Sequence, residues 1–378
     1  MDGPERSGGG LNTEGPYAPS NLVGGSGENM AWGGGPARER RVLKAGHSSI
    51  AVTLPKPWAE AMHLRPGDVV VFDQNDDGTL YLKPSPGGNH PHVVPPFAVH
   101  AAMFQEPGQL ERLVAGAYRA GHDSIEIHSD EPLNTERLEE VQGVARRLLG
   151  LSVVAQEPYR VVLQSFIDPS KYALPQLVQR MKMILVALVE ESERSLERTG
   201  SARTLRHTSL AEETEKVHAL LVRQLLLASR DWSLAKQIGS PDPRQLLVWR
   251  VVVQSLEEVG HLLEDLSRSL QDHPSEARGI GFLQALRDFK QVLQDVVEAL
   301  VHPSLPKACA AYDAAADLGS RVEALPFPSR RAGRRNAPPR LPPQGTLRRA
   351  SEKLRTLAEV AVDRAVAGTA PLTAEPRP

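Results

Sequence analysis

The residues best able to do chemistry cluster near the N-terminus. Arg38, Arg40, Arg41, Lys44 and Lys56 face a single acid there, Glu39, with His47 among them, although the whole chain carries a formal net charge of −2. Cations concentrated in one short segment of a nearly neutral protein suggest a polyanion partner, and DNA is the first to consider.

A second group of chemically capable residues is acidic and lies far downstream. Glu190, Glu193 and Glu197 fall on one face of a predicted helix. Glu212 and Glu215 sit three apart near the start of the next. Glu257, His261 and Glu264 or Asp265 share a face of a third. Carboxylates and a histidine from several helices of one bundle can build a metal centre. The competing reading is solvated acidic faces paired in part by Arg194, Arg198 and Lys216. His90 and His92 lie in a Pro/Gly loop with no third ligand in the stretch, which is weak ground for a metal site. No Ser/His/Asp or Cys/His set, nucleotide loop or spaced acid pair stands out, so the expectation is that the chain is not an enzyme.

The elements that must position these groups follow from composition and periodicity. A chain of 378 residues exceeds one ordinary core, so two or three domains are expected. Charged residues make up 24% and aromatics 4%, which suits a soluble protein of helices packed through Leu, Val and Ala. Cys309 is the one cysteine, so no internal disulfide forms and a reducing cytoplasm is expected. No apolar run is long enough for a membrane span. Residues 1–37 hold four Gly clusters and no apolar signal core; they read as a disordered leader, with Met30 an alternative start.

Residues 38–84 read as a small β module. Ile50, Val52 and Leu54 alternate with polar or small residues as in a half-buried strand, which Pro55 and Pro57 end. Trp58 to Leu64 allows two helical turns, with Trp58, Ala61 and Met62 inward. Arg65-Pro-Gly-Asp68 is a turn, and Val69–Asp73 and Thr79–Lys83 are strands joined by an Asn/Asp/Gly hairpin. So small a module cannot bury a good core alone, and an intimate homodimer is the expected remedy.

Residues 85–96 form a linker. Residues 97–166 alternate as a small α/β connector: strands over Phe97–Phe104, Ser124–His128, Leu151–Ala155 and Arg160–Gln164, with helices over Gly108–Ala120 and after the N-cap Asn134. It reads as a connector or dimerisation element. Residues 167–324 are helical, with stripes at Leu177, Met181, Ile184, Leu185 and Leu188, then Val217 to Ala228, then Val252 to Leu270. Two more helices run over about 280–300 and 305–324. Residues 325–345 are a basic Pro-rich linker with Arg330, Arg331, Arg334, Arg335 and Arg340, able to add non-specific phosphate contacts or merely to solvate a loop. A last helix, 346–367, is expected to fold back on the bundle, before a disordered tail, 368–378.

Two resemblances join these parts. GHSSIAVTLPKPW, LRPGDVVVF and DGTLYLKP resemble the SpoVT-AbrB family of swapped-hairpin DNA-binding dimers. That likeness implies that Arg38, Arg40, Arg41 and Lys44 face DNA phosphates and bases, with Ser48, Ser49, Thr53 and Lys56 nearby. LQSFIDPSKYALPQLVQRMKMILVALVEES, EETEKVHALLVRQLLLA and LVWRVVVQSLEEVGHLLEDL resemble the PhoU family of helical bundles. An AbrB-like head, an α/β connector ending in RRLLGL and a PhoU-like bundle together look like PhoU-like phosphate uptake regulators with a DNA-binding head. The PhoU resemblance implies a metal cluster held by acidic helix motifs, here represented by Glu212, Glu215, Glu257, His261 and Asp265. The motifs depart from the family pattern: Glu replaces Asp in Glu212-Glu213-Thr214-Glu215-Lys216, and His261-Leu262 stands where Asp-His is usual. His261 still suits a transition metal better than a hard cation.

The expected function is therefore a dimeric, cytoplasmic DNA-binding transcription regulator of phosphate uptake or homeostasis. The bundle would sense phosphate status through a metal, a ligand, or a partner such as a phosphate transporter ATPase or a sensor kinase. The alternative is a PhoU-like interaction protein that modulates a transporter or kinase without sequence-specific DNA binding. An antitoxin is a third class; the helical region of about 200 residues argues against it, because antitoxins of this kind usually carry a short toxin-binding tail.

Overall fold

In this computed structural model, residues 39–74, 78–85, 96–197, 204–242, 244–272, 280–325 and 341–368 are described. Arg38, the leader, most of the 85–96 linker with His90 and His92, the basic 326–340 segment and the tail lie outside them. The chain divides into two units: one holds most of the N-terminal β module, up to Phe72 and again from Leu82, and the other holds Asp73–Tyr81 together with the chain from Val93 on.

The N-terminal module has the predicted parts. β1 (Leu43–Ala45) pairs antiparallel with β2 (Ser49–Ala51) across a turn that Gly46 enters at φ +74°, open to glycine without strain. Pro55 ends the extended stretch, and Pro57 sits in the first turn of α1 (Lys56–Ala61), where the missing N–H is no loss. The Arg65–Asp68 turn closes twice: the Asp68 amide donates to the Arg65 carbonyl at 3.0 Å, and the Arg65 amide donates to Asp68 Oδ2 at 2.7 Å. β3 (Val70–Gln74) then pairs with β4 (Leu80–Pro84). No described side chain between 39 and 85 is buried; Trp58, Ala61 and Met62 are only half covered.

The connector is a four-stranded sheet in the order β5-β6-β8-β7. β5 (Phe97–His100) and β6 (Ser124–His128) run parallel, which requires a crossover; α2 (Gln109–Arg119) supplies it. The expected strand to Phe104 instead stops at His100. Ala101–Met103 form a 3₁₀ turn, capped by the Ala102 amide donating to His100 Nδ1. α3 (Thr135–Arg147) starts at Asn134, whose Oδ1 accepts from the Arg137 amide at 2.9 Å, and leads into the hairpin β7 (Leu151–Glu157) and β8 (Arg160–Ser165). Ile125, Ile127, Val161 and Leu163 bury one sheet face against Leu110, Val114, Tyr118, Val141 and Val144 of the two helices. Tyr118 Oη donates to the Leu149 carbonyl at 2.8 Å, and burial pushes its pKa up to about 12.

The helical region contains α4 (Leu174–Glu197), α5 (Thr204–Ala228), α6 (Trp232–Gln237), α7 (Arg244–Asp272), α8 (Ile280–Val301), α9 (Leu305–Glu323) and α10 (Pro343–Ala367). The predicted stripes are its core: Leu177, Met181, Leu185 and Leu188 meet Val217, Leu220 and Leu221, then Val252, Leu256, Val259 and Leu263. α4, α5 and α7 pack on one another, as do α8, α9 and α10; the two triplets meet through α4–α8 and α7–α10. The C-terminal helix therefore folds back as expected. Short α6 was not foreseen: Asp231 Oδ1 accepts from the amides of Ser233 and Leu234 and starts one and a half turns in what reads as a loop. Among the described residues no helix is long and apolar enough to cross a membrane.

Candidate nucleic-acid interface

Arg40 and Arg41 lead into β1, Lys44 is its central residue, Ser48 closes the β1–β2 turn and Ser49 opens β2. Thr53 lies on the extended stretch before α1, and Lys56 is the first residue of that helix. All seven side chains are exposed. Among the described residues, Arg40, Arg41 and Lys44 have no ion-pair partner. Lys56 has one, Glu60 at 3.6 Å; both are largely exposed, so the pair is worth a few tenths of a kcal/mol and leaves the ammonium accessible. Solvated cations, unpaired among the described residues, on and just before a short β ribbon are what a phosphate backbone needs, and three neighbouring hydroxyls can add neutral contacts.

The ribbon does not divide cleanly into a basic and an apolar face. Register sets Lys44 opposite Ile50, so the ammonium shares a face with a side chain 77% exposed. Val42, Leu43, Val52, Val69, Phe72 and Leu80 are also at least half exposed. Among the described residues the expected half-buried strand thus buries nothing. Its alternation is satisfied only if another surface covers it, since full burial of such side chains is worth about 1.5–3 kcal/mol each.

The five predicted metal ligands do not assemble. Glu212 and Glu215 are exposed on α5. On α7, His261 Nε2 stands 3.6 Å from Glu257 Oε1, while Asp265 accepts from Arg268 at 2.8 Å. Among the described residues, no three His, Cys, Asp or Glu side chains form a group able to hold a metal ion. Cations at helical spacing claim the acids first: Arg268 holds Glu264 and Asp265, Arg194 holds Glu190 and Glu191, and Lys290 of α8 reaches Glu193 at 3.2 Å. Burial raises the Glu264 carboxyl above its ordinary range, opposed by Arg268 and His261 and reinforced by Glu215.

Sequence reasoning passed over the buried polar groups. Arg223, within the Leu-rich run of α5, is 1% exposed; it donates to the Tyr118 carbonyl at 2.6 Å and the His122 carbonyl at 3.0 Å, and ion-pairs with Asp123. Arg364 of α10 lies over the buried Trp249 ring of α7 at 4.1 Å. The signal for Arg223 was visible: one cation at a core phase of an otherwise apolar stripe.

Residues 43–89 match the family model described as antidote-toxin recognition MazE, bacterial antitoxin. No curated protein and no solved structure matches the chain. The match begins at residue 43, past Arg40 and Arg41, and ends at residue 89 inside the following linker; it supports an AbrB-like head and does not reach the helical region. The protein thus joins a small AbrB-like β module to a largely helical C-terminal region.

Proposed function

We propose that this chain is a DNA-binding transcriptional regulator that works as a homodimer through its head. The observation that carries the reading is the pairing of exposed cations, Arg40, Arg41 and Lys44, with apolar residues that are exposed among the described residues, on a small module that the antitoxin family model matches from residue 43 on. A second copy would cover Ile50, Val52, Phe72 and Leu80 and present two basic ribbons with two-fold symmetry, which suits palindromic operators. The finer part of the reading is phosphate homeostasis, with the bundle responding to a ligand or to a transporter or kinase partner. It is supported by the PhoU-like motifs across 163–266 and by the stripes they place in the core. We read the chain as non-enzymatic and cytoplasmic.

The test is a gel shift and footprint on the chain's own upstream DNA at low salt, with the Arg40/Arg41/Lys44→Ala variant as control. Loss of the shift in the variant supports the head as the reader; no shift with the parent protein sinks it. Chromatin pull-down from phosphate-rich and phosphate-starved cells tests the pathway separately. A second reading, an antitoxin, is favoured by the description of the matched family. Co-purification of a small toxic partner whose activity this chain suppresses would favour it over the first.

A further inference from the structure

The connector sheet ends in an open edge. Among the described residues β7 pairs with β8 on one side only, and at seven residues it is the longest strand of its sheet. Its sequence, Leu-Ser-Val-Val-Ala-Gln-Glu, contains neither the Lys nor the Pro that commonly blunts an edge; a bulge between Val153 and Ala155 is its one irregularity, and Val154 is 51% exposed there. Between this edge and α3 runs a groove of about 460 Å³, lined by Gln142, Ala145 and Arg146 of the helix and by the strand from Leu151 to Gln156. A groove flanked by an edge strand and a helix is the setting in which an added strand gains main-chain hydrogen bonds and pockets for alternate side chains.

The charges say which occupant fits. Glu139, Gln142 and Arg146 recur at steps of three and four, so they form one stripe along α3, acid at one end and base at the other. Glu139 and Arg146 are both exposed, and among the described residues neither has an ion-pair partner. Such a stripe is complementary to itself when turned end for end. A two-fold axis near Gln142 and the middle of β7 sets each Arg146 against the other copy's Glu139 and lays the two β7 strands antiparallel. One axis serves both elements because α3 leads into β7 through a tight turn and runs back along it, with Gln142 Nε2 donating to Gln156 Oε1 at 2.9 Å. A foreign peptide would need only one carboxylate for Arg146 and would leave Glu139 unanswered.

We propose that the α3–β7 edge is a homodimer interface, in which a second copy of this chain continues the sheet through β7 and pairs Arg146 with Glu139 across the axis. This does not depend on the DNA-binding reading.

The experiment uses the full chain in a Cys309→Ser background with Gln142→Cys, which places one thiol next to the axis. Mild oxidation is expected to give a covalent dimer, and a Glu136→Cys control, away from the axis, several-fold less. Adding Arg146→Glu sets acids against acids and is expected to cut the cross-link at least five-fold; adding Glu139→Lys alone does the same by opposing bases. Combining Arg146→Glu with Glu139→Lys restores it. Far-UV circular dichroism confirms that each variant folds, and the two single variants back each other up if one does not. Cross-linking at Gln142 no better than at the control, or no rescue in the double variant, overturns the proposal, including the outcome in which the edge accepts another protein's strand. DNA binding read in parallel fails or survives independently, because no head residue is altered.

Discussion

Arg223 and Asp123 form an ion pair in which one partner is almost fully buried and the other lies mostly in water: the guanidinium is 1% exposed and the carboxylate side chain 62%. The asymmetry shows what the arginine is for. Its Nη1 donates to two carbonyls, that of Tyr118 at the end of α2, which also accepts from the Gly121 amide, and that of His122 just beyond, and its guanidinium lies over the Tyr118 ring at 4.9 Å. Arg223→Ala should therefore destabilise the chain by about 2–4 kcal/mol, because the cavity left by a buried side chain adds to the loss of the His122 carbonyl's donor. Asp123→Ala should have a smaller effect, about 1–2 kcal/mol, since the two carbonyls still hold the guanidinium. Urea denaturation of the two variants reads the difference, and equal losses would contradict this assignment.

His218 gives the protein a sensitivity to acid. Burial, then Arg250, Arg119 and His261, lower its pKa from 6.5 to about 4. Because the folded pKa is depressed, the unfolded chain binds the proton more readily between those values, so stability falls as pH drops from 6.5 towards 4 and levels off below. The loss should amount to about 2 kcal/mol by pH 5. His207 and His122 are shifted in the same direction, each chiefly by burial, and add to it. Urea midpoints at pH 7 and pH 5 should converge in a His218→Gln variant relative to the parent; an unchanged gap would remove His218 as a source.

Salt should distinguish contact with phosphate from contact with bases. If Arg41 neutralises a phosphate, Arg41→Ala should weaken binding to all duplexes alike and reduce the slope of log K against log salt by about 0.9 for each site lost. A variant that keeps the slope but changes sequence preference would place Arg41 at a base edge instead.

Gly150 joins α3 to β7 at φ +70°, and a Cβ there would collide with Ile167 Cγ1, which is held next to the branched Cβ and has little room to swing aside. Gly150→Ala should lower stability by about 2–4 kcal/mol, through left-handed strain together with overpacking. Gly46→Ala, at a similar φ of +74° but with nothing within 4 Å, should show the backbone part alone. Comparing the two thermal melts separates the contributions.

The sequence discloses what repeats and conceals what is paired across distance. The stripes from Leu177 to Leu188 and from Val252 to Leu270 are core in the structure because a helix facing a single core must carry apolar residues at its own period. The β6 limits and the Asn134 cap were legible for the same local reasons. The turn at Ala101 and the short α6 were not, because each hangs on one capping side chain rather than on a pattern. The acidic faces misled in a specific way. Glu190, Glu264 and Asp265 have the spacing of ligands, but Arg194 and Arg268 stand three or four residues further on and take them up. In the head, alternation at Ile50 and Val52 was legible, but no described residue covers them.

Helix α5 belongs to two interiors at once. Ala219 and Arg223 face the connector, while Leu220, Leu221 and Leu225 enter the core of the bundle. A helix shared in this way cannot fray alone, since opening it uncovers both interiors together. Its central amides should exchange with deuterium only when the whole unit unfolds, which makes the connector and the bundle a single cooperative foldon.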